Sequence, residues 1–187
     1  MENYAYSLLR DYFLNHWEYT HLVLCPDDLL VTNDDFDILI NDVKEFDYPV
    51  ISGICNLTYL DKDREKYAAS KSIPGYSIKD YVFITKAEIE EWKRNKEYIQ
   101  PVKFNGFALS FIRKDVISQF CFDGNQGLDR VFGINCDNRN IPMYIDIRAE
   151  CFHIKYRMGF EVYEKFFVGK EPTCCIFSSK NNNNGEG

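Results

Sequence analysis

The sequence predicts an α/β fold in which a mixed, mainly parallel sheet is flanked by helices. Short apolar runs of strand length alternate along the chain with segments whose apolar residues recur at helical spacing. The clearest strands are predicted at 22–25 and 48–55, since both runs are apolar and free of charge. Gly53, inside the second run, indicates a close approach of another part of the backbone.

Helix signals separate these strands. Apolar residues recur every three or four positions over 4–17, which predicts a first amphipathic helix. Thr32 and the acidic residues after it predict the start of a second helix, with an apolar face from Phe36 to Phe46. Asp34, Asp35 and Asp37 are interpreted as its cap and dipole charges. A capping box (Thr85 and Glu88) starts a third helix, and further helices are predicted at 115–120 and from Leu128 to about 138.

The remaining chain divides into strands, a long loop and a tail. Residues 58–80 are charged and contain Pro74-Gly75, so they are predicted to form a surface loop. Residues 1–177 are expected to form one domain, with the aromatic segment 155–177 packed on its body. The low-complexity residues 178–187 are predicted to be disordered. Further strands are predicted at 81–84, 103–112, 142–147 and 151–154.

Composition excludes several classes of protein. A net charge of −7 and a pI of about 5.0 argue against binding to nucleic acid. No apolar stretch is long enough to span a bilayer, and the amino terminus does not resemble a signal peptide, so we expect a cytoplasmic protein without stable membrane insertion. The seven cysteines lack zinc-type spacing and fit a reducing compartment. Five of them are expected to be small buried hydrophobes: Cys25, Cys55, Cys121, Cys136 and Cys151.

Two adjacent carboxylates follow the first predicted strand. Asp27 and Asp28 interrupt apolar sequence and would lie at the carboxyl end of the sheet, where ligands bind in α/β folds. Because neighbouring carboxylates repel each other, they favour a cation or hydrogen-bond donors between them. The alternative is a solvated acidic turn.

Two later residues could contribute to the same chemistry. Asp129 follows a glycine-containing loop and opens a helix, whose dipole favours its ionised, proton-accepting form. His153 closes an apolar run. The alternatives are a helix cap for Asp129 and a core histidine for His153, and only convergence with Asp28 would favour function.

The order of these features resembles the GT-A glycosyltransferases, which use nucleotide-sugar donors. Pro26-Asp27-Asp28 is similar to the Asp-X-Asp motif of that family, with Pro26 in place of the first Asp. Asn105-Gly106 resembles the strand near the donor sugar, Asp129 the catalytic base of inverting members, and His153 the histidine that completes the metal site. The resemblance covers roughly residues 18–154 and implies a GT-A-like (Rossmann-like) fold, here lacking part of the N-terminal nucleotide-binding half.

The resemblance implies a specific reaction. Mn²⁺ or Mg²⁺ held by Asp28 and His153 would bridge the phosphates of a UDP-sugar, while Asp27, Asn105 and Gly106 would help to bind the donor. Asp129 would deprotonate a hydroxyl of a glycan acceptor, with inversion at the anomeric carbon. Tyrosines of the predicted loop and its edge would form the acceptor surface: Tyr59, Tyr67, Tyr76 and Tyr81.

Two other classes of protein remain open at this stage. A metal-dependent phosphoesterase or nuclease would also use clustered carboxylates, although it commonly needs two metals and more carboxylates. A non-catalytic, truncated transferase module would retain the fold without the reaction. The sequence leaves the donor sugar, the acceptor and the oligomeric state undetermined.

Overall fold

The structure is a computed structural model that describes residues 2–57, 66–72, 80–122 and 127–153. The predictions for residues 155–177 and 178–187 lie outside these ranges. The helices are α1 (Glu2–Asn15), α2 (Asn33–Phe46), α3 (Lys86–Asn95), α4 (Lys114–Ile117) and α5 (Leu128–Asn138). The strands are β1 (His21–Leu24), β2 (Leu29–Leu30), β3 (Val50–Cys55), β4 (Lys66–Ser70), β5 (Phe83–Thr85), β6 (Ile99–Val102), β7 (Phe104–Asn105), β8 (Ser110–Arg113) and β9 (Met143–His153).

A six-stranded mixed sheet forms the centre of the molecule. Its strand order is β1-β8-β3-β9-β2, and β6 also pairs with β9. A second, three-stranded sheet has the order β5-β4-β7. The α/β class with a mixed sheet flanked by helices is therefore confirmed.

Two hydrophobic clusters cover the two faces of the large sheet. One contains side chains from α1, α3, α4 and α5 together with Ile112 of β8. The other contains Leu39 of α2 together with Phe111 of β8. Because successive side chains of a strand point to opposite faces, Phe111 and Ile112 show that helices cover both faces.

The predicted mainly parallel character of the sheet is wrong. Among the described strands, β3 and β9 form a parallel pair, whereas β1–β8, β3–β8, β2–β9 and β6–β9 are antiparallel. The predicted fully buried strand at 22–25 is instead β1, at the end of the strand order, with only Leu24 buried. An apolar run shows that a segment is a strand, but it carries no information about strand direction or position in the sheet.

Part of the predicted surface loop at 58–80 is a strand. Lys66–Ser70 forms β4 between β5 and β7. Tyr67 is only 4% exposed and its hydroxyl donates to Glu150 Oε1 over 2.9 Å, so it is not available as an acceptor surface. Tyr59 and Tyr76 lie outside the described residues. The alanines of β4 have a low preference for strands, which explains why the sequence did not indicate one.

The longest of the described strands, β9, covers two segments that were predicted as separate strands. The segments predicted at 142–147 and 151–154 belong to the single eleven-residue strand β9. β3 and β9 change register between Ser52 and Ile54, and Gly53 lies at this irregularity. A Cβ at Gly53 would lie 2.6 Å from the Ala149 carbonyl oxygen, so the predicted close approach is confirmed.

Local signals placed the helix starts accurately. Thr32 and Asp35 form a capping box at α2, and Thr85 and Glu88 form one at α3. The cysteines agree only in part, since Cys55, Cys136 and Cys151 are buried while Cys25 and Cys121 are exposed.

Candidate functional site

Asp28 and His153 meet where the edge strand β2 pairs with the end of β9. Leu29 is paired with His153 in this antiparallel ladder, so the residue before Leu29 lies beside the imidazole. His153 Nε2 donates a hydrogen bond to Asp28 Oδ2 over 2.6 Å, although the residues are 125 positions apart. The Asp28 side chain is 49% exposed and that of His153 is 18% exposed, so the pair is accessible to a ligand.

The pair lines a pocket of about 310 Å³ that also contains Asp129 and Gly106. This volume is at the lower end of the range found for small-molecule sites. Three distant parts of the chain therefore converge: the turn after β1, the start of α5 and the end of β9. The structure places Asp28, Asp129 and His153, three of the residues that the sequence singled out, at one pocket.

The start of α5 presents Asp129 to this pocket. Gly127 is the N-cap residue, and Asp129 Oδ1 accepts the backbone N–H of Arg130 over 2.7 Å in the first turn. A Cβ at Gly127 would lie 3.1 Å from Asp129 Oδ1, so glycine leaves room for the carboxylate. The helix dipole favours the ionised form of Asp129, as a proton acceptor requires.

Aromatic side chains form one wall of the pocket. Tyr81 stacks on Phe83 with ring centroids 5.0 Å apart and meets the edge of Phe104, also at 5.0 Å. All three rings line the pocket. Burial raises the pKa of Tyr81, and the negative charge of Asp129 raises it further. This wall offers a rigid apolar surface to a ring-shaped ligand group.

Sequence reasoning missed part of this site. Arg130 also lines the pocket, together with Asp28, Asp129 and His153. Its position directly after Asp129 was the available signal, because a cation beside a helix start is suited to holding an anionic ligand. Phe83 and Phe104 carried no such signal, since strand aromatics are usually core residues.

Two of the predicted binding residues lie away from the pocket lining. Asp27 is exposed and does not line the pocket. Asn105 is 1% exposed, and its Nδ2 donates to Ser52 Oγ over 2.9 Å. Asn105 Oδ1 also accepts the backbone N–H of Phe107 over 3.3 Å, so its contacts are within the protein.

Asn105 thereby supports a strained turn beside the pocket. Phe107 and Leu109 have φ angles of 55° and 39°, a conformation that is uncommon for bulky residues. Gly106 donates its N–H to the Ala68 carbonyl over 2.7 Å, and a Cβ there would lie 3.0 Å from the Ala68 Cβ. Backbone strain of this kind is often retained at functional sites.

A cation at Asp28 and His153 would need ligands beyond these two side chains. Within the described part of the chain, no group of three or more His, Cys, Asp or Glu side chains could enclose a metal ion. Mg²⁺ and Mn²⁺ commonly bind through one or two protein ligands together with substrate phosphates and water. Asp28 and His153 would supply a carboxylate oxygen and an imidazole nitrogen, ligands that Mn²⁺ accepts, once the cation had displaced the Nε2 proton that now joins them over 2.6 Å.

No helix in the described residues is long and apolar enough to cross a membrane.

Comparison with other proteins gives information on the fold alone. No protein-family model matches the chain, and no curated protein matches it in sequence. Among solved structures, it is similar to the crystal structure of A197 from STIV, with a TM-score of 0.54 and 16% sequence identity. The superposition covers 83% of this chain and 68% of that chain. The chain therefore shares an α/β fold with that protein.

Proposed function

We propose that this protein is a metal-dependent glycosyltransferase that moves a sugar from a UDP-sugar to a hydroxyl of a glycan acceptor. The observation that carries the proposal is the convergence of Asp28, His153 and Asp129 on one pocket. The GT-A resemblance assigned these same three residues to metal binding and catalysis. Chance would seldom collect three selected residues from such distant parts of the chain at one site.

Asp28 and His153 form the phosphate end of the site in this proposal. A divalent cation bound there would neutralise the charge that develops on the leaving diphosphate. Arg130 supports this arrangement, because this residue lines the same pocket and a guanidinium is a strong donor to phosphate oxygens. The protein is acidic overall, with a net charge of −7, so it needs such local cations to hold a diphosphate.

Asp129 acts on the acceptor. Its carboxylate takes the proton of the acceptor hydroxyl while that oxygen forms a bond to the anomeric carbon. The bond between the anomeric carbon and the diphosphate oxygen breaks, its electron pair leaves with UDP, and the anomeric configuration inverts. The aromatic wall of Tyr81, Phe83 and Phe104 supports this role, since sugar and base rings pack on such surfaces.

The direct test is release of UDP. We expect the protein with Mn²⁺ and a panel of UDP-sugars to release free UDP, slowly alone and faster with a glycan acceptor. Removal of the metal with EDTA should stop the release, and added Mn²⁺ should restore it. Cleavage of a generic phosphodiester without UDP release would favour the phosphoesterase. No activity on either substrate, with no stabilisation of the protein by UDP and Mn²⁺, would favour a non-catalytic module.

A further inference from the structure

Helix α1 is apolar on two sides, but the described part of the molecule covers only one of them. Tyr6, Phe13 and Leu14 pack into the cluster of the large sheet. Leu8, Leu9 and Tyr12 point elsewhere and are between 51% and 59% exposed. Trp17 and Tyr19, just after the helix, are 90% and 42% exposed. We call Leu8, Leu9, Tyr12, Trp17 and Tyr19 the α1 patch.

Ring contacts connect the helical part of the α1 patch to the segment that follows. His16 lies between Tyr12 and Tyr19, with ring centroids 4.1 Å and 5.3 Å away. None of the five members of the patch carries a charge. Exposed apolar residues that lie close together in the chain mark an interaction site more often than isolated ones do.

The patch is followed in the chain by β1, one edge of which has no partner among the described strands. Lys114 donates its N–H to the Thr20 carbonyl over 2.8 Å, and the register pairs Leu22 with Ile112. Because alternate residues of an antiparallel strand bond to the same neighbour, His21 and Val23 direct their backbone N–H and C=O groups away from β8. No described strand pairs with this side of β1.

The edge of β1 is protected by its shortness but not by its side chains. Edge strands commonly avoid pairing with another chain by being very short or by carrying a lysine, a proline or a bulge. β1 has only four residues, but His21–Leu24 contains no proline, lysine or carboxylate, and its pairing with β8 is regular. The edge is therefore able to accept a further strand.

We propose that two copies of this chain associate through the α1 patch and the free edge of β1. The two β1 strands pair antiparallel about a two-fold axis, which makes the six-stranded sheets continuous, and the two patches pack beside them. Tyr12, Trp17 and Tyr19 alone expose on the order of 400 Å². That is about half of the ~800 Å² that each partner contributes to a stable interface, and the leucines and the strand edge add to it.

Charge opposes rather than drives this association. Each chain carries a net charge of −7, so two copies repel each other over most of their surfaces. The five side chains of the α1 patch and the strand His21–Leu24 contain no Asp, Glu, Lys or Arg, but the exposed residues Asp11 and Glu18 lie between patch residues in the chain. Apolar contact and strand pairing therefore have to outweigh the repulsion. The interface is separate from the pocket, and the proposal does not depend on the proposed function.

Sedimentation velocity of the full chain under reducing conditions tests the association, since the reductant prevents disulfides between the exposed Cys25 and Cys121. We expect a concentration-dependent dimer. The double variant Leu9→Gln/Trp17→Gln should dissociate at a concentration at least about tenfold higher. A matched control, Phe46→Gln/Val82→Gln, removes apolar side chains that are 53% and 58% exposed elsewhere and should dimerise like the parent.

Hydrogen exchange tests the strand pairing separately. The amides of His21 and Val23 should exchange more slowly as the protein concentration rises, and this protection should be absent in Leu9→Gln/Trp17→Gln. A parent protein that stays monomeric, or a double variant that dimerises like its control, would overturn the proposal. Dimerisation without added protection of His21 and Val23 would overturn the β1 pairing.

Discussion

At the scale of single residues, Asp27 and Asp28 provide an internal comparison. Both are exposed carboxylates in one turn, but only Asp28 contacts His153 and lines the pocket. We expect UDP with Mn²⁺ to raise the melting temperature of the parent and of Asp27→Asn, and to have no such effect on Asp28→Asn. Differential scanning fluorimetry with and without EDTA measures this. Equal loss in both variants would show that Asp28 has no special role.

The proposed role of Asp129 as the base can be tested separately from donor binding. Asp129→Asn keeps the size and helix-start position of the side chain but cannot accept the acceptor proton. We expect the rate of sugar transfer to fall by a factor of about 10² or more, while stabilisation by UDP and Mn²⁺ remains. Transfer at the parental rate would exclude Asp129 as the base, even if Asp28 and His153 bind the metal.

The residues of the site differ in how far sequence could identify them. Asp28 and Asp129 were singled out because one follows a predicted strand and the other opens a predicted helix, although an acidic turn and a helix cap explain such carboxylates equally well. Asn105 was chosen only from the GT-A resemblance, and its amide contacts Ser52 and Phe107. Tyr81 and Phe104 meet only through the second sheet, and local sequence gives no information on such a meeting.

At the scale of elements, the β3–β9 pair depends on Gly53. We expect Gly53→Ala to destabilise the fold by about 1–3 kcal/mol, because its Cβ would lie 2.6 Å from the Ala149 backbone oxygen. Gly127→Ala is the matched control, since its Cβ would meet only the end of the Asp129 side chain. Urea unfolding followed by circular dichroism compares the two variants. A Gly53→Ala protein as stable as the control would mean that the strands adjust freely.

Elements with local signals were predicted best. The capping boxes at Thr32 and Thr85 gave the starts of α2 and α3, and the apolar run at 48–55 gave β3. Strands that depend on pairing with a distant part of the chain were either missed, as β2 was, or predicted with wrong bounds, as β9 was. β2 is two residues long and exists through its pairing with β9, and this is the pairing that brings Asp28 to His153. The feature on which the proposed site depends most was therefore the least visible in the sequence.

At the scale of the whole molecule, the alternation of strands and helices was enough for the fold class but not for the topology. β8 runs antiparallel between β1 and β3, and an apolar run reads the same in either direction. The two hydrophobic clusters on opposite faces follow directly from the period of two in Phe111 and Ile112. The spacing of apolar residues therefore predicts which faces of the sheet are covered, but it does not predict strand order or direction.

The buried carboxyl group of Asp42 should contribute to the pH dependence of the stability of the whole fold. Asp42 of α2 faces Asp146 and Arg148 of β9, and Arg148 Nη2 lies 3.0 Å from Asp42 Oδ1. Burial, and then the neighbouring Asp146, raise the pKa of Asp42 from its ordinary 3.8 to about 7. Between these pH values the folded state holds a proton that the unfolded state has lost. This contribution to stability is therefore complete below pH 3.8 and is lost as the pH rises to about 7.

Asp42→Asn isolates this effect, because asparagine imitates the protonated carboxyl group at every pH. Between about pH 4 and pH 7 we expect the free energy of unfolding of the parent to fall, relative to that of Asp42→Asn, by up to a few kcal/mol. Asp37→Asn removes the same charge from an exposed position of the same helix and should keep the parental slope. Urea unfolding at a series of pH values measures all three proteins. If the free energy of unfolding of Asp42→Asn changed with pH as it does in the parent, the proton would be bound elsewhere. If that of Asp37→Asn did not change with pH, the effect would come from net charge and not from Asp42.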